Sequence, residues 1–218
     1  MGQSKEQERK PIMNKSIKVE AYQITDKRVM AALMFCSKVL STDETRQGIM
    51  YLQITPNGSN KIQIIGTNGR QMHIARINNF GLGLGGLFSL AKGKRGNFLV
   101  RCPNEDIEFP DTTHAIPDEK DMVVYELDVH EHTCAVMASY IQQTVLKETE
   151  CVMDALLVHK ALISMPKLDQ TVLKVLPDHD DPKNTRIVIE STDNVKSYKS
   201  ITMSLRNLDS PVKKVEAE

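Results

Sequence analysis

Residues 22–77 read YQITDKRVMAALMFCSKVLSTDETRQGIMYLQITPNGSNKIQIIGTNGRQMHIARI. The stretch divides into a strand, an apolar helix and two or three strands closed by tight turns. Ile17 to Ile24 alternates, with Ile17, Val19, Ala21 and Gln23 on one side, as a strand with one covered face does. Asp26 supplies a side-chain oxygen in front of a helix from about Lys27 to Leu40. At 100° per residue, Val29, Met30, Leu33, Met34, Cys36 and Leu40 share one broad apolar face. Arg28, Ala31, Ala32 and Lys38 share the other, with Phe35 and Val39 among them. Ile49–Thr55 and Lys61–Gly66 are strands joined by Pro56-Asn57-Gly58-Ser59-Asn60, a strong hairpin signal. Thr67-Asn68-Gly69-Arg70 is a second turn, leading into a strand from Gln71 to Ile77.

Outside this unit the pattern is looser. Residues 80–96, FGLGLGGLFSLAKGKRG, read as Gly-rich, then briefly helical, then basic. Asn97–Cys102 and Ile107–Phe109 fit short strands. Residues 110–120 carry two prolines and no periodicity, as a linker does. Val123–Val129 is a strand candidate, and Glu131–Lys147 a helix with Met137, Ile141 and Val145 on its apolar side. Asp154 caps a further helix that Pro166 ends after Met165. Thr171–Leu176, Arg186–Ser191 and Ser200–Leu205 are strands. A helix followed by strands, given twice, is an α+β pattern rather than a doubly wound parallel sheet. The expected organisation is a polar tail over 1–15, a domain over 16–113, a linker over 114–120, a second domain over 121–210 and a loose tail over 211–218.

Composition narrows the function. The 218 residues hold 28 Lys+Arg against 28 Asp+Glu, so bulk charge does not coat nucleic acid, although a local basic face remains open. No apolar run reaches a membrane span, the polar N-terminus lacks a signal-peptide core, and Glu6 stands where myristoylation wants Ser or Thr. Cys36, Cys102, Cys134 and Cys151 have no CxxC spacing. They fit reduced thiols of a cytoplasmic protein.

Three segments bring a family into view. The first is Tyr22–Ile77, in which TDETRQGIMYLQI and GTNGRQMHIARI are similar to segments of the bacterial β sliding clamp. That protein is the DNA polymerase III beta subunit, the ring that tethers a replicative polymerase to DNA. The second is FPDTTHAIP (109–117), similar to the family's F-P-D-Y-x-x-x-x-P linker. The third is ITMSLR (201–206), similar to its final strand. Together they span about a third of the chain, in the family's order. The resemblance implies a DNA-clamp-like α+β fold of repeated helix-plus-antiparallel-strand units, arranged as two trimmed domains. It implies a non-enzymatic processivity factor or scaffold without a cofactor. The expected partners are double-stranded DNA, a DNA polymerase and other clamp-binding peptides. Two domains per chain would imply a homo-oligomer, a trimer by analogy with other clamps. A partner-peptide groove carried over by position uses Thr67, Gly69, Arg70, Met72, Pro117, Ile201 and Met203. The chain departs from the family where Asn68 replaces Asp, Arg70 replaces His and Gln71 replaces Arg, which bears on which peptide is bound.

A clamp holds DNA by topology, through Lys and Arg that meet phosphates without reading sequence. Lys27, Arg28 and Lys38 on the first helix, and the run Lys92, Lys94, Arg95, are the candidates, with Lys147 and Lys160 behind them. The plainer reading of each is a solvated surface cation, and of Met72, Ile201 and Met203 ordinary core. Other readings stay open. A clamp-derived binding module that forms no ring is one. A nucleotide-binding enzyme is another: residues 81–86 contain GxGxxG, with Asp106 20 residues beyond Gly86, although a flexible glycine loop is the simpler account. His130-Glu131-His132 with Cys134, and His179 among Asp178, Asp180 and Asp181, are weak metal candidates.

Overall fold

The computed structural model describes residues 20–58, 60–78, 84–94, 96–117, 120, 122–126, 134–141, 143, 155–166, 168–176 and 186–203. Among the described residues, ten strands form one antiparallel sheet in the order β1-β6-β5-β2-β3-β4-β10-β9-β8-β7. They are β1 (Ala21–Ile24), β2 (Leu52–Pro56), β3 (Lys61–Thr67), β4 (Gln71–Asn78), β5 (Gly86–Gly93), β6 (Gly96–Arg101), β7 (Val123–Glu126), β8 (Gln170–Leu176), β9 (Arg186–Thr192) and β10 (Ser197–Met203). The described residues also form helices α1 (Lys27–Ser37), α2 (Cys134–Tyr140) and α3 (Ala155–Ser164). The fold is α+β, with a large antiparallel sheet and few helices.

Helix α1 begins where Asp26 accepts the backbone N–H of Arg28 at 2.7 Å and of Val29 at 3.3 Å, two donors that the first turn leaves unpaired. The Arg28 side chain also bonds the Asp26 carboxylate and, with those N–H groups, holds its pKa below the ordinary value. The helix ends at Ser37, short of Leu40, and its buried face differs from the expected one. Val29, Ala32, Leu33, Phe35 and Cys36 are buried, together with Val39 just beyond, whereas Met34 is 49% exposed. Close approach to the sheet decides this. Gly66 on β3 has no Cβ, and any Cβ there would collide with the Cys36 carbonyl. Ala32 is small enough to lie flat on the strands, so the sheet takes the side that includes Ala32 and Phe35.

Other local readings are also corrected. Residues 44–50 form a 3-10 helix, Glu44–Met50, capped by Asp43 through the Thr45 N–H, so β2 starts only at Leu52. The stretch after the glycine run is strand β5, not a helix. Its pairing with β6 places Leu90 opposite Leu99 and Phe88 opposite Arg101, and Phe88 and Leu90 join the helix-side core. Residues 107–109 are not a strand, and Phe109 packs against the sheet's outer face. The part of the expected 131–147 helix that lies among the described residues is helical over Cys134–Tyr140.

The two stretches on either side of the linker meet where β4 and β10 pair, with His73 opposite Ser200 and Met72 opposite Ile201. Strand alternation then gives this seam two faces. Helices α1 and α3 cover one, over cores built from Leu33, Phe35, Ile64 and Ile77 on one side and Val158, Leu162, Leu173 and Ile189 on the other. The opposite face carries Ile65, Met72, Ile74, Val188 and Ile201, with Phe109, Ala115, Ile116 and Met122 of the linker region laid across it.

Candidate functional site

The cavity at one end of the outer face is built around the β3–β4 turn. Thr67 Oγ1 donates to the Gln71 carbonyl at 2.8 Å and accepts the Gly69 N–H at 3.0 Å. Asn68 Oδ1 accepts the N–H groups of Arg70 and Gln71 at 2.9 and 2.8 Å. A carboxylate oxygen would accept the same pair, so Asn68 serves this turn as an Asp would. Gly69 sits at φ +86°, a conformation glycine adopts without strain. The Met203 N–H donates to the Arg70 carbonyl at 3.1 Å, which ties the end of β10 to this turn.

Three further segments close the cavity. Arg46 and Ile49 come from the 3-10 helix, Pro110, Asp111, Thr112 and Ala115 from the linker, and Ile201 and Met203 from β10. The volume is about 180 Å³, somewhat larger than the roughly 150 Å³ apolar cavity that accepts benzene. One Leu or Phe side chain fits such a space. The Arg46 guanidinium lies over Gly69 and donates to the Asn68 carbonyl at 3.3 Å. Asp111 accepts from the Thr113 N–H and hydroxyl at 2.9 and 2.7 Å, and these bonds hold its carboxyl below the ordinary pKa.

Six of the seven residues named from sequence therefore share one cavity: Thr67, Gly69, Arg70, Met72, Ile201 and Met203. Pro117 does not line it. It is buried, and Pro110 and Ala115 contribute the linker's wall instead. Arg46 and Ile49 escaped the sequence reading because TDETRQGIM reads as a loop running into a strand. The capping pair Asp43 and Thr45 was the available signal for a helical turn there.

On the helix-bearing face, Lys27, Ala31, Met34 and Lys38 are exposed at spacings of three and four, so Lys27 and Lys38 stand at the two ends of one exposed stripe about 16 Å long. Arg28 lies beside it and pairs with Asp26 at 3.2 Å. Lys92 and Lys94 are exposed near the tip of the β5–β6 hairpin, on the far side of β2 from the seam. Arg95 and Lys147 lie outside the described residues. Lys38 Nζ reaches the Ser164 carbonyl at 3.5 Å. A second cavity of about 230 Å³ separates α1 from α3, and Lys38, Lys160, Gln71, His73 and Ser164 line it.

His73 is the centre of that junction. Its Nδ1 lies 2.8 Å from the Phe35 carbonyl and its Nε2 3.4 Å from Ser164 Oγ. Its ring stacks on Phe35 at 4.2 Å. Burial lowers its pKa to about 4, with the nearby Lys38 charge acting in the same direction. The neighbouring Gln71 donates to the Leu157 carbonyl at 2.9 Å and to Thr202 Oγ1 at 3.3 Å.

Among the described residues the glycine run does not open the helix of a phosphate cradle. Such a cradle needs a helix N-terminus directly after the glycines, and Gly86–Gly93 is strand β5. Gly81–Gly83 lie outside the described residues, as do His130, Glu131, His132 and the 178–181 cluster. Cys36 and Cys102 are free and buried. Among the described residues no helix is long and apolar enough to cross a membrane.

This architecture is the DNA-clamp fold. The chain superposes on the DNA polymerase III beta subunit of Thermotoga maritima with a TM-score of 0.59 at 11% identity, covering 86% of this chain and 65% of that one. It superposes on the DNA polymerase sliding clamp of Bacillus subtilis at 0.53 with 10% identity (82% and 62% covered). The Helicobacter pylori beta clamp bound to a DNA ligase peptide gives 0.52 with 10% identity (87% and 66%). The chain thus spans about two thirds or slightly less of the length of these clamps. No protein-family model and no curated protein sequence matches it.

Proposed function

We propose that this chain is a sliding-clamp-like processivity factor or scaffold, with no catalytic role. Its helix-bearing face meets double-stranded DNA without reading sequence. Its outer cavity docks short peptides of a DNA polymerase and other replication proteins. The observation that carries the reading is the cavity itself. Residues 46–49, 67–72, 110–115 and 201–203, remote in sequence, converge on one apolar-floored space, and a peptide-bound clamp is among the structures that share the fold.

In this reading residues 16–113 and 121–210 are two trimmed clamp units, joined by the 114–120 linker and by the β4–β10 pairing. Several copies, three in the simplest arrangement, surround the duplex. Lys27 and Lys38 project from α1 toward phosphates, Arg28 flanks them, and Lys92, Lys94 and Arg95 add a second basic strip. Contacts of this kind are electrostatic and weaken steeply with salt.

Sedimentation at micromolar concentration tests the assembly, and a monomer there removes the ring. Binding to short linear duplex DNA, which a ring does not hold by topology, tests the face. It should fall with salt and drop further in Lys27→Glu/Lys38→Glu, and binding indifferent to both sinks the assignment of this face to DNA. A monomer that still binds peptides identifies the alternative, a clamp-fold binding module that closes no ring.

A further inference from the structure

We infer that the cavity between α1 and α3 is a binding site for a phosphate monoester group, held by Lys38 and Lys160 and selected by the Nε2 lone pair of His73. The cavity has a volume of about 230 Å³, ample for a tetrahedral oxyanion when roughly 150 Å³ accepts benzene. Lys38 and Lys160 line it and are exposed, whereas Gln71, His73 and Ser164 line it and are buried. No described carboxylate lines it. Both helices end beside it. A helix C-terminus carries a partial negative charge of only about half a unit, so two ammonium groups leave the space positive.

The buried end decides which anion fits. The Phe35 carbonyl can only accept, so the His73 Nδ1 at 2.8 Å from it carries the ring's hydrogen. Burial lowers the ring's pKa to about 4, so Nε2 is a lone pair near neutral pH. Ser164 Oγ stands 3.4 Å from Nε2 but donates its one hydrogen to the Ala161 carbonyl at 2.8 Å. Gln71 spends its amide N–H groups on the Leu157 carbonyl and Thr202 Oγ1. The neighbouring strands place Gly66 and Ser200 opposite His73, and neither titrates. A fitting ligand therefore brings negative charge for the amines and a hydrogen for Nε2. A phosphate monoester, with a second pKa of about 6, carries both near neutrality. Sulfate or a backbone phosphodiester brings charge but no hydrogen, and leaves a buried acceptor unpaired. The ligand is thus distinct from the duplex backbone of the reading above.

Free phosphate and the terminal phosphate of a DNA end share this chemistry. Titration calorimetry of the full chain at about pH 6.5 and constant ionic strength would compare inorganic phosphate, methyl phosphate, sulfate and dimethyl phosphate. The Nε2 nitrogen resonance of His73 would be followed in parallel. Phosphate and methyl phosphate should bind at least about tenfold more tightly than the other two, and they alone should move the resonance. Lys160→Gln, an exposed change that keeps the fold, should weaken phosphate about tenfold. A terminally phosphorylated duplex that moves the resonance, where its hydroxyl-ended counterpart does not, makes the DNA end the source. A response to free phosphate alone makes the source a solute.

Sulfate binding as tightly as phosphate, with the resonance unmoved, overturns the selection by His73. Dimethyl phosphate binding as tightly overturns the monoester assignment in favour of a backbone contact. No saturation by phosphate below about 10 mM overturns the site itself.

Discussion

At the end of the β4–β10 pair next to the cavity the two faces carry opposite chemistry, and the arrangement there inverts the usual one; further along, Ala75, Ile77 and Tyr198 lie under the helices and Arg76 and Lys199 on the other side. The side beneath the helices, the more enclosed one, carries Gln71, His73, Ser200 and Thr202. The side next to the open cavity carries Met72, Ile74 and Ile201. Buried polar groups are tolerated when they find partners, and here the helices supply them. The Phe35 and Leu157 carbonyls and the Ser164 hydroxyl meet His73 and Gln71. The polar seam thereby fixes where α1 and α3 lie on the sheet. The apolar face is covered by the linker instead, and the cavity lies between the linker and the β3–β4 turn. One side of the seam orients, and the other is left to bind.

The strongest way to break this comparison is to remove the ring that joins helix to seam. Phe35 stacks on His73 and meets Tyr198 edge-on at 5.3 Å. Phe35→Ala should cost about 3–5 kcal/mol in urea unfolding, and a loss under about 1 kcal/mol would show that α1 is held elsewhere.

Acid should act on the same face next. The unfolded His73 takes its proton near pH 6.5 and the folded one only near pH 4. Between those values the unfolded state binds more protons, so stability is full above about pH 6.5 and declines as pH falls toward 4. The loss is roughly 3 kcal/mol. His73→Gln should flatten that part of the stability–pH curve. An unchanged slope in the variant would assign the acid sensitivity to other groups.

The outer face should respond in binding as well as in folding, since Met72 is buried there and its truncation costs about 2–5 kcal/mol of stability. Met72→Ala should weaken an apolar-anchored peptide about tenfold, measured by anisotropy, while leaving salt-dependent DNA retention as in wild type. Lost DNA retention would mean that the two faces are not separate.

The smallest effect sharpens the account of the seam. Ser200 Oγ is buried with no hydrogen-bond partner among the described residues, so Ser200→Ala should leave stability unchanged or raise it by up to about 1 kcal/mol. A clear loss by thermal unfolding would reveal a bond that Ser200 makes.

Much of this was legible in the chain. The Asp26 cap, both turns of residues 56–70, and strands β3, β4, β8 and β9 follow from capping chemistry, turn residues and alternation, because those signals act within a few residues. The convergence of 67–72 with 201–203 was reached only through resemblance, since a pattern of alternating residues does not say which strand lies beside it. The errors were of one kind. The side of α1 that faces the sheet depends on Gly66, 30 residues away from Cys36. Residues 86–93 became a strand because β2 and β6 flank them. Pro117 turned inward where Pro110 took the wall. Arg46 reached the turn at Gly69 from a 3-10 helix that had looked like the start of a strand.

The sequence by itself determined the α+β character, the turn at Thr67-Asn68-Gly69-Arg70 and the alternation that gives β4 two unlike faces. Only the tertiary structure decided which face the helices would cover and which would keep an opening. That choice depends on pairing β4 with β10 and on the linker lying across one side. Both contacts join segments more than 30 residues apart, and a one-residue shift in their register would exchange the two faces.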